Sequence, residues 1–150
     1  MAFSETILSN QTHPGDSTTE TVTGDKYKGD GYYGRSDGFH TVQYSVNGFI
    51  GSIDMEATLA VEPTADDWFT LNTNLTSADD SSSYATGSFI YNFTGNYVWV
   101  RAKVTNWTDG DITRIQLNHW QYYNTMLIYM YEHRIWHLDT ISACKAQNYS

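Results

Sequence analysis

The sequence predicts an all-β protein, built as an antiparallel β-sandwich of the jelly-roll or immunoglobulin-like kind. Short runs of alternating apolar and polar residues are separated by Gly, Asn and Asp, which is the pattern of strands joined by turns. Tyr, Phe and Trp, which favour strands, number 12, 6 and 5, and helical runs rich in Ala and Leu are missing. With 150 residues the chain can bury a core without disulfides, and its single cysteine, Cys144, has no partner within the chain.

The amino-terminal residues 1–24 are predicted to form an extended arm with weak strand character. Ser, Thr, Asn and Glu dominate this stretch, and its few large apolar residues include Phe3, Ile7 and Leu8.

Residues 25–119 are predicted to form the sandwich domain. Alternation from Phe39 to Val46 predicts a strand that carries His40 on its apolar face. Asn47 and Gly48 both tolerate positive φ, which predicts a tight hairpin turn. The next run, 49–59, alternates most clearly and predicts a strand with one buried and one solvated face.

The second half of this domain continues the same pattern. Residues 72–84 are predicted to be a polar loop, and alternation resumes at 89–93 and at 98–104. Residues 106–111 are predicted to form a further turn, before a last strand that runs toward His119. About seven or eight strands result, which is enough for two packed sheets.

The outward face of the 98–104 strand carries Trp99, Arg101 and Lys103. An aromatic ring beside cations is suited to contact with a protein partner, or to stacking on a glycan. The alternative is an ordinary cross-strand aromatic pair with solvated charges, or burial beneath the carboxy-terminal tail.

Residues 120–150 form an aromatic tail whose apolar positions follow neither a strand nor a helix period. A helix over about 124–138 competes with a further strand pair. Because exposed aromatic residues at this density favour aggregation, we expect the tail to pack on the sandwich or on a neighbouring subunit. Trp120, Tyr122 and Tyr123 are candidate partner or glycan contacts.

Charge and hydropathy exclude several classes of protein. The net charge of -9 disfavours a basic nucleic-acid-binding surface. Residues 1–80 hold 13 acids and 3 bases, a balance of -10, whereas 81–150 hold 4 acids and 5 bases, a balance of +1. This division favours association of copies, although a solvated acidic face explains it equally well. No apolar run is long enough for a membrane span, and the amino terminus lacks a signal-peptide pattern.

No catalytic constellation, cofactor motif or metal motif emerges. The paired carboxylates at 66–67 and 79–80 lie in turn-like stretches, where turn formation and solubility explain them. His133 and His137 have the spacing of two zinc ligands on a helix, but no third ligand accompanies them. The glycine-rich segment 29–34 lacks the ending of a phosphate-binding loop, and it is interpreted as a turn with stacked tyrosines.

Residues 24–119 resemble a module of virion structural proteins from marine tailed bacteriophages, particularly those that infect cyanobacteria. The tail from Trp120 onward departs from that pattern. The segments that carry the resemblance are the Gly-Tyr-Tyr-Gly turn at 31–34, Asp37–Val42, Pro63–Trp68, Val98–Val104 with the Thr-Asp-Gly turn after it, and Ile115–Leu117.

The resemblance implies a non-enzymatic structural protein that is made in the host cytoplasm and incorporated into the virion. Capsid decoration is the first hypothesis, and a neck, tail, baseplate or fibre component is the alternative. The expected partners are other virion proteins and further copies in a homo-oligomer, with no nucleic acid and no membrane. A carbohydrate-binding module for host adhesion, with a host-surface glycan as ligand, is a rival hypothesis. A hydrolase such as a depolymerase is a third.

Overall fold

A computed structural model describes residues 4–34, 36–78 and 83–119. The predicted tail, with Trp120, Tyr122 and Tyr123, lies outside the described residues. All strand pairings are antiparallel, which confirms the all-β antiparallel prediction. The strands are β1 (Glu5–Leu8), β2 (Gln11–Thr12), β3 (Glu20–Thr23), β4 (Tyr27–Lys28), β5 (Phe39–Thr58), β6 (Phe69–Ser77), β7 (Ala85–Thr94) and β8 (Trp99–His119).

Two long strands, β5 and β8, form the centre of the sheet. They contain 20 and 21 residues and pair with each other along most of their length. The other edge of β8 pairs with β1 to β4, so the predicted arm supplies three edge strands of the same sheet, β1 to β3, and β4 follows directly after it. The other edge of β5 pairs with β7 along its first half and with β6 along its second half.

The hairpin predicted at Asn47 and Gly48 is wrong, because β5 continues through both residues. Gly48 does adopt a positive φ of 61°, but the pairing register with β7 shifts between Val46 and Phe49. Because the bulge adds one residue to β5, the core-facing positions are even-numbered residues before it and odd-numbered residues after it. Core side chains therefore stay on one side of the sheet on both sides of the bulge.

The turn predicted at 106–111 is wrong for the same reason. β8 runs through it, with Asn106 at φ 51° and Gly110 at φ 88°. A Cβ atom on Gly110 would collide with the carbonyl oxygen of Gly48, so the irregular regions of β5 and β8 touch each other.

The loop predicted over 72–84 is also partly wrong, because 72–77 belong to β6. This strand is mostly exposed, so its sequence lacks the apolar alternation that marks a half-buried strand.

One hydrophobic core includes residues from both halves of the sheet, consistent with a sandwich-type fold. Tyr44 and Leu117 come from one half, and Met55 and Ala102 come from the other. Ile7 of the arm is buried in the same core. Within the part of the chain that the structure describes, no helix is long and apolar enough to span a membrane.

Candidate functional site

Trp99 lies at the start of β8, where it faces an open pocket of about 630 Å³. Its indole Nε1 donates a hydrogen bond to the Val61 carbonyl oxygen over 2.9 Å, and its ring meets the ring of Tyr32 edge-on at 5.1 Å. The indole is therefore held in place before any ligand arrives. The pocket is lined by Lys26, Tyr32, Val61, Glu62, Pro63 and Trp99.

Two lysines just after the arm lie over the aromatic rings beside this pocket. The Nζ of Lys26 lies 4.4 Å from the centroid of Trp99, and the Nζ of Lys28 lies 4.6 Å from the centroid of Tyr32. A cation above an aromatic face is attracted by the ring quadrupole. The pocket thus combines aromatic ring surface with the ammonium group of Lys26 and the carboxylate of Glu62, and the ammonium group of Lys28 lies beside it. Aromatic rings beside ammonium groups are suited to a sugar with an acidic substituent.

Arg101 and Lys103 belong to a different environment from Trp99. The Nε of Arg101 donates to Glu56 Oε1 over 2.8 Å, and the Nζ of Lys103 lies 3.7 Å from Glu56 Oε2. The guanidinium of Arg101 also stacks over Trp68, 4.0 Å from the ring centroid. Because Glu56 is buried, both cations compensate an internal charge. Of the three residues grouped by the sequence, only Trp99 lines the pocket.

A second site, which sequence reasoning missed, is a buried cluster of three ionisable side chains. Asp30 lies in a short 3-10 turn (Asp30–Tyr33), His40 near the start of β5, and His119 at the end of β8. His40 and His119 are directly opposite each other in the sheet. The three residues are 0%, 1% and 5% exposed, respectively.

The carboxylate of Asp30 accepts three hydrogen bonds. Ser36 Oγ donates to Oδ2 over 2.6 Å, the backbone N–H of Gly38 donates to Oδ2 over 2.8 Å, and His119 Nδ1 lies 2.7 Å from Oδ1. Burial on its own would raise the pKa of Asp30. The hydrogen bonds from Ser36 and His119, with the nearby imidazoles, outweigh burial and hold the pKa below its usual value.

His40 is fixed in one tautomer by its backbone contacts. Its Nδ1 lies 2.9 Å from the Gly38 carbonyl oxygen, which can only accept, so Nδ1 carries the proton. Nε2 accepts from the backbone N–H of Asp30 over 3.3 Å. The ring stacks on Phe93 at 4.6 Å and on His119 at 5.1 Å. Burial lowers the pKa of His40, which keeps the ring neutral near pH 7.

The cluster leaves one buried polar atom without a partner. His119 Nε2 makes no hydrogen bond within the described residues. Buried polar atoms are nearly always paired, so an unpaired imidazole nitrogen beside an Asp–His pair marks a candidate functional site.

The sequence carried two signals for this cluster. The first signal is the alternation of β5, which predicts that His40 points inward. Asp30 lies between two glycines, and both are required: a Cβ atom on Gly29 or on Gly31 would collide with the backbone of Tyr97 or Asn96. This tight packing buries the carboxylate between them.

A third group of ionisable residues, near His13, has a structural explanation. His13 Nδ1 accepts from the backbone N–H of Gly15 over 2.9 Å, and Nε2 lies 3.1 Å from the Thr18 carbonyl oxygen. Both ring nitrogens are therefore occupied. The Thr18 hydroxyl lies within hydrogen-bonding distance of both neighbouring carboxylates, those of Asp16 and Glu20, and can donate its single proton to either of them.

No protein-family model matches the chain, and no curated protein matches it.

Proposed function

We propose that this protein is a non-enzymatic virion component, foremost a capsid decoration protein, that acts by contact with further copies of itself and with other particle proteins. The observation that carries the contact mechanism is an uncharged sheet edge formed by β6 and β7. The virion setting is supported by the resemblance of residues 24–119 to phage structural modules.

The strands β6 and β7 lie end to end along β5 and share one unusual property. Their sequences, FTLNTNLTS and ATGSFIYNFT, contain no charged residue and no proline. Proteins normally place lysine or proline on edge strands to block pairing with other chains. Among the described strands, only β5 pairs with either of them. This edge is therefore a ready template for an added strand.

The side chains of β7 reinforce this interpretation. Ile90 is 69% exposed and Phe89 is 37% exposed. Large exposed apolar side chains on an open edge mark a contact surface.

A second copy of this chain is the occupant that the charges favour. The net charge of -9 opposes self-association over most of the surface, whereas β6 and β7 contribute nothing to that repulsion. Antiparallel pairing of β7 with β7 across a two-fold axis satisfies the free backbone groups of both copies. Larger symmetric assemblies can be built from that contact.

Light scattering on the purified chain tests this contact. We expect an oligomer for the wild type, and a monomer for Ile90→Lys, which places a charge on the edge strand. The control is Leu59→Lys, because Leu59 is 64% exposed, apolar and outside β6 and β7. The control should associate as the wild type does. A wild type that is monomeric at high concentration would refute edge pairing, and particles of the source virus without this chain would refute the virion role.

Glycan binding at the Trp99 pocket is a second candidate, favoured by the aromatic rings and lysines around it. Host-surface polysaccharide with acidic sugars should bind the wild type in calorimetry, and binding should disappear in Trp99→Ala. Phe39→Ala is the matched control, because Phe39 is an exposed aromatic residue outside the pocket. Absence of binding to host polysaccharide in the wild type would rule this candidate out.

A further inference from the structure

We propose that Asp30, His40 and His119 form a buried binding site for a divalent transition metal ion, with Zn²⁺ as the preferred ion. No metal site is predicted from the sequence, because these three residues are far apart in the chain and match no motif spacing. The fold brings one carboxylate oxygen and two imidazole nitrogens to a common point.

The donor atoms lie at distances close to those of a coordination sphere. One donor atom from each residue falls within 4.8 Å of the other two. Asp30 Oδ1 is 2.7 Å from His119 Nδ1 and 3.8 Å from His40 Nε2. Ligand atoms around a tetrahedral zinc, each about 2.0–2.1 Å from the metal, are about 3.3 Å apart. The observed distances lie on both sides of that value, so small side-chain movements complete the sphere.

The site has a specific electrostatic reason to hold a cation. His40 carries its proton on Nδ1, so Nε2 directs a lone pair into the cluster. The carboxylate oxygen Oδ1 of Asp30 lies 3.8 Å from this lone pair, which is too far for a hydrogen bond. The lone pair of Nε2 accepts a long hydrogen bond of 3.3 Å from the Asp30 backbone N–H. Nε2 and Oδ1 are both acceptors, so they repel each other in this buried site. A metal ion between them removes that repulsion.

The surrounding hydrogen bonds resemble those that orient metal ligands. Ligating histidines usually donate their other N–H to a carbonyl or a carboxylate, as His40 Nδ1 does to the Gly38 carbonyl. Ligating carboxylates are usually hydrogen-bonded, as Asp30 Oδ2 is by Ser36 Oγ and the Gly38 N–H. These contacts hold two of the three donors in place without a metal.

Binding requires a proton shift at His119. The ring changes tautomer: the proton on Nδ1, which faces Asp30 Oδ1, is lost to water and Nε2, unpaired in the described structure, receives one proton from water, so the number of protons on the ring is unchanged. Nδ1 thereby gains a lone pair for the metal. The two imidazole donors favour Zn²⁺ or Co²⁺ over Mg²⁺ and Ca²⁺, which prefer oxygen ligands. Three protein ligands leave the fourth tetrahedral position to water.

Metal binding to the full chain tests the proposal directly. The tag-free protein is stripped with a chelator and dialysed against Zn²⁺, and bound zinc is measured by elemental analysis. Co²⁺ serves as a second probe, because its visible absorption reports tetrahedral nitrogen and oxygen coordination. We expect one tightly bound ion per chain in the wild type, and loss of that ion in His40→Gln and in His119→Gln. Ser36→Ala removes a hydrogen bond that orients the Asp30 carboxylate, so it should weaken metal binding about 10- to 100-fold.

Two controls separate this site from others in the chain. His13→Gln removes a buried histidine outside the cluster, and the double variant His133→Gln/His137→Gln removes the histidine pair of the tail. Both should keep the ion.

An NMR measurement on the wild type covers the case in which the ligand variants do not fold. Added Zn²⁺ should shift the imidazole nitrogen resonances of His40 and His119 and leave those of His13 unchanged. A wild type that binds neither zinc nor cobalt would overturn the proposal. Loss of the ion in either control variant would also overturn it.

Discussion

The carboxylate of Asp30 should be a principal support of the fold, and Asp30→Ala removes it. The substitution takes away the acceptor for Ser36, Gly38 and His119, and leaves the donors of Gly38 and His119 buried. Hydrogen bonds to a charged group contribute about 1.5–3 kcal/mol each. Relaxation of the surrounding turn recovers part of this loss, so we expect the free energy of unfolding to fall by about 4 kcal/mol. That is a large share of the 5–15 kcal/mol typical of a domain.

Urea unfolding followed by tryptophan fluorescence, with chelator present, measures this loss without any contribution from a metal. Asp30→Asn keeps one acceptor oxygen, and we expect about half the loss. Asp66→Ala is the control, because Asp66 is an exposed carboxylate in the other 3-10 turn (Ala65–Asp67). Its effect should stay within about 0.5 kcal/mol. If Asp30→Ala unfolds at the same urea concentration as Asp66→Ala, the hydrogen bonds of Asp30 do not stabilise the fold.

Three further predictions concern pH, the Glu56 network and the contact between the two long strands. Burial lowers the pKa of His40 below its usual value of 6.5, so the unfolded chain binds more protons than the folded chain below about pH 6.5. The metal-free protein should therefore lose stability as the pH falls below 6.5. The lowered pKa of Asp30 should continue this loss below about pH 3.8. Urea midpoints over this pH range should show a weaker dependence near pH 6 in His40→Gln. Arg101→Ala should lower the free energy of unfolding by about 2 kcal/mol, because the buried Glu56 then keeps Lys103 as its cation. The same substitution should cost much less in a Glu56→Gln background, which a double-mutant cycle measures. Gly110→Ala should lower the free energy of unfolding by at least about 2 kcal/mol, because the residue has a φ of 88° and its Cβ would collide with the Gly48 backbone. Gly48→Ala has space for its Cβ and should lower it by about 1 kcal/mol. Thermal unfolding measures both.

The strands were predictable because their signal is local. Alternation over 98–104 correctly placed Val100, Ala102 and Val104 inside, and all three are fully buried. The bulges were not predictable by the same means. Asn47-Gly48 permits a positive φ in a hairpin and in a bulge alike, and only the partner strand decides which of the two forms.

The candidate sites were less predictable, because they depend on strand register. Trp99, Arg101 and Lys103 share one face of β8, but Glu56 lies opposite Arg101 and binds both cations. Asp30 and His119 are 89 residues apart, and nothing in the local sequence of either one indicates the other. Trp120, Tyr122 and Tyr123 lie outside the described residues, so their predicted contacts stay predictions.

Amide hydrogen exchange along β7, measured on dilute and on concentrated protein, tests most directly the claim that this chain acts through its uncharged edge. The amides of β7 that point away from β5 are free among the described strands, and they should exchange fast in dilute solution. The account predicts that these amides become protected when the copies associate, and that Ile90→Lys abolishes the protection. Association that leaves the β7 amides as fast as in the dilute protein would contradict it.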